Sequence, residues 1–323
     1  MAAKSRGRKE STPALKRRAW LGRAGLAGIA GAAGLAYGAA PRLWNEMARE
    51  TLRPVEPPPE RPRPFQWPST GICAAWLGHS TVLLRIGGCT ILTDPIFSER
   101  AGVSLGPITL GIKRLVAPAL SLEQLPKIDL ILLSHAHMDH FDLPSLARLG
   151  SLQTTVITAP NTSDLLRVKR YRQVRELRWG ERFRVGPVEC RAIEVKHWGA
   201  RMRSDTYRGY NGYLIEAANR RVLFAGDTAH TSAFRALRDS RPIDLAIMPI
   251  GSYEPWIRNH CTPEQAWQMG NDAGAEYFLP VHHQTFRLSR EPLREPIERF
   301  FSVAANQSYR IRLEKIGQEF WLA

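Results

Sequence analysis

The stretch Leu132–Asp142, LLSHAHMDHFD, holds His135, His137, Asp139, His140 and Asp142. The chain has 9 histidines in 323 residues, so three in one short stretch need a reason. Neutral imidazole nitrogens and carboxylate oxygens are ligands for zinc, and they also suit iron or manganese. His135 and His137, two apart, can reach one ion, and Asp139 with His140 can reach a second. Two ions need further ligands. His197 follows RAIEVK, Asp227 closes RVLFAGD, and His282 follows EYFLPV, each where a strand is expected to end. A carboxylate such as Asp227 can bridge two cations and hold them about 3.5–4 Å apart, as hydrolytic two-metal centres require. Gly226 lets the backbone turn sharply just before it.

These residues must be aimed by the elements ahead of them. Residues 128–134, IDLILLS, form an unbroken apolar run, the pattern of a strand buried on both faces. ICAAWL reads as a strand, and STVLLRI and CTILTD as two more around a Gly87-Gly88 hairpin. LPSLARL opens a helix, TTVITAP is a strand, and a second helix is expected from Asn161-Thr162-Ser163-Asp164. GPVECRAIEV, GYLIEA and RVLFAGD follow as strands, TSAFRALRDS as a helix capped by Thr231 or Ser232, and IDLAIMPI as a buried strand. TPEQAWQMGNDAG is a helix with Thr262 as N-cap, Pro263 in its first position, Glu264 in its first turn and Gly274 near its end. EYFLPV is a last strand before a helix through PIERFFSVA. Strands come first and then alternate with helices, so we expect an α/β domain of two mixed sheets with helices outside.

The motif H-x-H-x-D-H, a distant His, a Gly-Asp pair and another distant His together resemble the metallo-β-lactamase superfamily. From Ile72 to Phe286, the segments WLGHSTVLLRIGGCTILTDPIFSERA, SHAHMDHFD, VKHWGAR, LFAGDTAH, MPIGSYEPW, NHCTPEQA and VHHQTF resemble its N-acyl-phosphatidylethanolamine-hydrolysing phospholipase D branch. The resemblance implies a four-layer αβ/βα sandwich with two zinc ions at one edge. His135, His137 and His197 would hold the first ion, Asp139, His140 and His282 the second, and Asp227 would bridge. His282 takes the last place rather than His283 because it directly follows Val281, five residues after Tyr277. The implied reaction is phosphodiester hydrolysis by a hydroxide held between the two ions. His260 would then serve the leaving group, and Asp142 would orient a ligand or the water. His79 and Asp94 would orient ligand side chains, and Tyr253 and Glu254 would shape the pocket.

Composition bounds the rest. The formal charge is +15, and residues 1–23 hold eight Lys/Arg against Glu10, a net +7 that leaves +8 for the remainder. The uncharged run of residues 24–40 after Arg17-Arg18 resembles a twin-arginine export signal or a short membrane anchor. Export or membrane association is therefore expected, followed by a Pro-rich linker over residues 41–70 and a catalytic domain over 71–323. Cys73, Cys89, Cys190 and Cys261 form no C-x-x-C pair and are expected to be buried thiols. The resemblance implies a phospholipid or other phosphodiester partner, and the basic run of residues 165–184 suits nucleic acid or, equally, an anionic membrane surface. Without a large inserted domain, nucleic acid is disfavoured. A lactonase of the same superfamily, acting on sugar or acyl lactones, shares the metal set and is the main alternative. A non-catalytic binding module would have lost ligands, and none of the seven is missing.

Overall fold

Alternation along the strands decides the architecture. In the IDLAIMPI strand, Leu245 and Ile247 belong to one apolar core, and Ala246 and Met248 to another. The same split separates Tyr213 and Ile215 from Leu214, and Val222 and Phe224 from Leu223. Successive side chains of a strand point to opposite faces, so an unbroken apolar strand must be covered on both. One core lies between two sheets, and the other lies beneath helices.

The computed structural model describes residues 50–105 and 108–323. The basic segment of residues 1–40 and the linker as far as residue 49 lie outside the described residues. Residues 50–54 belong to a separate unit, in which Arg53 pairs with Glu50 at 2.6 Å. From Val55 onward the chain forms the second unit. It opens with strands β1 (Ile72–Gly78), β2 (Thr81–Ile86) and β3 (Cys89–Thr93), then the hairpin β4 (Arg100–Leu105) and β5 (Ile108–Lys113). There follow β6 (Leu130–Leu132), helix α1 (Leu143–Leu149), β7 (Thr155–Thr158), β8 (Gln173–Glu176), β9 (Arg182–Val185) and β10 (Val188–Ile193). The second half contains β11 (Gly212–Ala217), β12 (Arg220–Phe224), β13 (Ile243–Pro249), helix α2 (Pro263–Asp272), β14 (Ala275–Val281), helix α3 (Glu295–Ala304) and β15 (Glu319–Leu322).

A 7-stranded sheet runs β15-β1-β2-β3-β6-β7-β8 and a 6-stranded sheet runs β14-β13-β12-β11-β10-β9. Both are mixed: β3, β6, β7 and β8 run parallel, as do β12, β13 and β14, and the remaining pairs are antiparallel. Helix α2 starts as the sequence predicts, with Thr262 and Gln265 forming a reciprocal capping box. It packs with α3 over the second sheet through Ala266, Met269, Ile297 and Phe300.

Three expectations change. The helix expected from Asn161 is only a short turn, Ser163–Leu165. The Glu176 carboxylate of β8 accepts the amides of Asn161, Thr162 and Ser163 at 2.8–2.9 Å, which fixes this turn from outside. The helix expected in TSAFRALRDS is a five-residue turn, Ala233–Leu237. Asp239 then turns the chain back by accepting Arg241 N at 2.7 Å and the Arg221 guanidinium at 2.9 Å. The Pro-rich stretch is not a free linker from Val55 onward. Glu56 exchanges backbone bonds with Leu115 and Ala117, and Trp67 is buried with its indole donating to Glu319 at 2.7 Å. The four cysteines are free and buried, as expected.

Candidate metal centre

The strand ends meet at one edge between the sheets. Beyond β6, Ser134 and residues 135–140 form the first loop. Asn211 N donates to Ser134 O at 2.8 Å, which holds this loop against the start of β11. Beyond β12, Gly226 adopts φ +60, and a Cβ there would lie 2.8 Å from Asn211 O and from Ser134 Cβ. Only glycine lets the chain pass so close and deliver Asp227. Beyond β14, His282 takes φ 64, and its amide donates to His79 O at 3.1 Å.

Two sets of donors result. His135, His137 and His197 bring ring nitrogens within 4.8 Å of one another, and so do Asp139, His140 and His282, with His79 beside them. Asp227 lies between the sets: its Oδ2 is 3.1 Å from His140 Nε2 and from His282 Nε2, and 3.9 Å from His135 Nε2 and from His197 Nε2. The seven residues expected as ligands are therefore together. His283 is not among them, because it is buried against Trp76 with ring centroids 4.6 Å apart.

The surrounding bonds fix which nitrogens face inward. His197 Nδ1 donates to Asn259 O at 2.8 Å, which leaves Nε2 as a lone pair. Ser134 Oγ donates to Asp94 Oδ2 and accepts from His135 Nδ1 at 2.8 Å, which leaves His135 Nε2 as a lone pair. Asp94 Oδ2 also accepts from His140 Nδ1 at 2.7 Å, so His140 presents Nε2. His79 Nε2 donates to Asp139 Oδ2 at 2.9 Å. Asp94 and His79 thus touch ligand-type side chains, as the sequence implied, and Asp94 governs two imidazoles at once.

This donor set fits metal ions. His135 Nε2 lies 2.8 Å and His197 Nε2 3.3 Å from His137 Nδ1, so three ring nitrogens converge where a cation could be held. His137 Nε2, His140 Nε2, His282 Nε2 and Asp227 Oδ1 are buried without a hydrogen-bond partner. Each such atom costs about 1–3 kcal/mol unless something binds it. Burial opposes charge on His140 and His282, but Asp227 and Asp139 overcome it. They hold His140 well above its usual value and raise His282 to about 9. Two carboxylates thus face these two rings, at 3.1 Å from Asp227 and 3.4–3.5 Å from Asp139, a charge pattern that suits divalent cations.

A cleft of about 510 Å3 opens onto these donors, walled by Trp198, Trp256, Leu288, Ser252, Asn259 and His260. His260 Nδ1 lies 3.8 Å from Asp227 Oδ2 without a hydrogen-bond partner, and burial lowers this imidazole to about 4. Trp198 packs edge-on to His137 at 4.8 Å.

Asp142 differs from expectation. Its Oδ2 accepts Ser98 Oγ at 2.7 Å and the Ser145 hydroxyl, and its side chain caps α1 through Ser145 N, so it serves the helix and not the water. Tyr253 also turns away, donating to Glu295 at 2.7 Å, and Ser252 lines the cleft in its place. Glu254 is exposed. Ser134, Asn259 and the two cleft indoles were not singled out in the sequence. Ser134 directly precedes His135, and Trp198 directly follows His197, so adjacency was the available signal.

Residues 89–283 match the Beta-lactamase superfamily domain. An uncharacterized protein of Mycobacterium tuberculosis is 32% identical over 286 residues, 85% of this chain and 76% of that protein. The N-acyl-phosphatidylethanolamine-hydrolyzing phospholipase D 1 of Caenorhabditis elegans is 30% identical over 67% of this chain and 65% of its own length. The mitochondrial enzyme of that activity from Saccharomyces cerevisiae is 31% identical over 71% of this chain, which spans about half (51%) of the yeast protein. The fold is shared with Igni18, a metallo hydrolase of Ignicoccus hospitalis, at TM-score 0.59 and 20% identity over 79% of this chain and 99% of that one. It is shared also with CmlA, a diiron β-hydroxylase of Streptomyces venezuelae, at TM-score 0.57 and 19% identity over 79% of this chain and 55% of that one. With its sheets, its convergent His/Asp donors and this match, the chain belongs to the metallo-β-lactamase superfamily of metal-dependent hydrolases.

Proposed function

We propose that the protein is a phosphodiesterase of phospholipase D type, acting with two zinc ions on a lipid such as N-acyl-phosphatidylethanolamine. The observation that carries this reading is the cleft. Its floor is the paired donor sets bridged by Asp227, and its walls are the apolar faces of Trp198, Trp256 and Leu288. Such walls suit the hydrocarbon of a lipid and offer little to a compact sugar lactone. The worm and yeast relatives named for this activity support it.

His135, His137 and His197 would hold one ion, Asp139, His140 and His282 the other, and Asp227 both. When bound, such ions supply charge for a phosphoryl group and lower the pKa of water. The chain's own residues do the rest. Asp94, through Ser134, and His79 keep the ligand atoms aimed. The indoles exclude bulk water from the cleft. His260 stands in the cleft wall with an uncommitted nitrogen, placed to give a proton to the departing alcohol oxygen. A phosphodiester anion beside it would favour the protonated ring. Water oxygen bonds to phosphorus, the bond from phosphorus to the alcohol oxygen breaks, and the alcohol leaves with the proton. Export or membrane association, expected from residues 1–40, belongs to the same proposal.

Hydrolysis in ¹⁸O-water tests it. Label should enter the phosphate product and not the alcohol. His260→Ala should slow release of an alkyl alcohol by about 10²–10⁴-fold while sparing nitrophenolate, which leaves without protonation. Label in the alcohol, or rapid lactone turnover without phosphodiester cleavage, would overturn the reading.

A further inference from the structure

The hairpin of β4 and β5 pairs with neither large sheet among the described residues. Its register sets Ala101 opposite Ile112 and Val103 opposite Leu110. With a two-residue repeat, these four side chains share one face. Val103, Leu110 and Ile112 are exposed to 38%, 59% and 40%. On the other face Gly102 opposes Gly111, and Ser104 bonds Thr109 at 3.0 Å. The ribbon is amphipathic, with its apolar side turned outward.

That side does not end at the hairpin. Ala101 clusters with Ile96 and Phe286, and Leu288 packs against the cluster. Leu288 also lines the metal cleft, and its carbonyl accepts the Trp256 indole N–H at 3.3 Å. Trp256 and the adjoining Ile257 are exposed to 51% and 45%. One apolar strip results, exposed at Val103, Leu110 and Ile112 and again at Trp256 and Ile257 by the mouth of the cleft, and joined between them through buried Ile96, Ala101 and Phe286. Arg258 and Arg287, next in sequence to its members, and Arg290, two residues beyond Leu288, are exposed.

We infer that this strip is a docking surface for an anionic lipid bilayer, with the hairpin and Trp256 seated at the boundary between headgroups and acyl chains. The inference rests on the lipid reading above, since it brings the cleft to its substrate. Charge complementarity favours this occupant: the chain beyond residue 23 carries a net +8, and the strip is flanked by arginines. Tryptophan at the rim fits the same boundary, where its amphipathic ring is favoured. A second copy would need a stable interface of roughly 1,200–2,000 Å2 in total, more than a narrow ribbon offers.

Flotation of the full chain with phosphatidylcholine vesicles containing about one third phosphatidylglycerol tests the inference, at low and at high salt. High salt screens the basic N-terminal segment, and comparison with the double substitution separates the strip's share from insertion of the apolar run of residues 24–40. Leu110→Asp with Ile112→Asp should lower partitioning on the order of tenfold or more at both salts. Hydrolysis of soluble bis(p-nitrophenyl) phosphate should stay at the wild-type rate, which also shows that the variant folds. Leu110→Trp should bind vesicles at least as well as the wild type. Partitioning unchanged by the double substitution would overturn the inference. So would failure to bind vesicles together with a dimer that the double substitution dissociates. Hairpin-dependent vesicle binding without any phosphodiesterase activity would sink the substrate reading and leave the docking surface standing.

Discussion

Asp94→Asn replaces one oxygen by an NH2 group and has a two-sided consequence. The Asp94 carboxylate is fully buried and faces three donors. Oδ1 accepts Ser134 N at 2.7 Å, and Oδ2 accepts the Ser134 hydroxyl and His140 Nδ1, the latter at 2.7 Å. An amide must turn its NH2 to one side. Toward Ser134 N, two donors meet and a buried hydrogen bond is lost, at about 1–3 kcal/mol of folding stability. Toward His140, the ring must move its proton to Nε2, the atom 3.1 Å from Asp227 that would bind a metal. Loss of such an orienting partner lowers metal affinity about 10–100-fold. Either way the substitution is felt, and the two routes leave different marks. Chelator competition reads the affinity, and thermal unfolding of the chelator-treated protein reads the stability. We expect metal affinity at least tenfold weaker, or the stability loss with affinity kept. Asp94→Asn that matches the wild type in both measurements would refute the assigned hydrogen bonds.

Gly226→Ala should lower stability by about 1–2 kcal/mol for the left-handed backbone alone, and by more because the new Cβ meets Asn211 O at 2.8 Å. Calorimetry checks this, and metal content should fall as Asp227 shifts. His283 is buried, and desolvation lowers it to about 3 from 6.5. The unfolded chain then binds the extra proton, so this residue's contribution is fully present above pH 6.5 and is lost as pH falls toward 3, at about 1.4 kcal/mol per pH unit. In denaturant unfolding of wild type and His283→Phe, the slopes of stability against pH should agree above pH 7.5 and diverge below pH 6.5 toward a difference of one proton, and equal slopes throughout would count against a neutral buried ring.

The metal centre was legible because its chemistry is concentrated. His135–His140 is a dense run, and His197, Asp227 and His282 each follow a strand whose apolar pattern is plain. The paired cores were legible in IDLAIMPI for the same reason. Asp142 was not, because an aspartate beside a metal motif and an aspartate capping a helix look alike until Ser98 and Ser145 are seen on it. The β4–β5 hairpin was not drawn from the sequence, and its central pair is Gly102 opposite Gly111, where a Cβ on either would lie 2.0 Å from a carbonyl oxygen of the other strand. Helices expected at Asn161 and Thr231 gave way to side chains from elsewhere, Glu176 and Arg221, which no local pattern contains.

The partner of β1 on its outer side is β15, and Trp67 meets Glu319 across 252 residues of chain. Closing so long a loop directly costs about 3.5 kcal/mol more than closing a short hairpin. The cost vanishes once the intervening second sheet has folded and brought the two segments together. The order of assembly is thereby constrained: β15 acts as a latch that can shut only on a nearly finished molecule. Until then the hydrogen-bonding edge of β1 is open to any other extended strand. During refolding at high concentration, that edge is where chains of this protein would first adhere to one another.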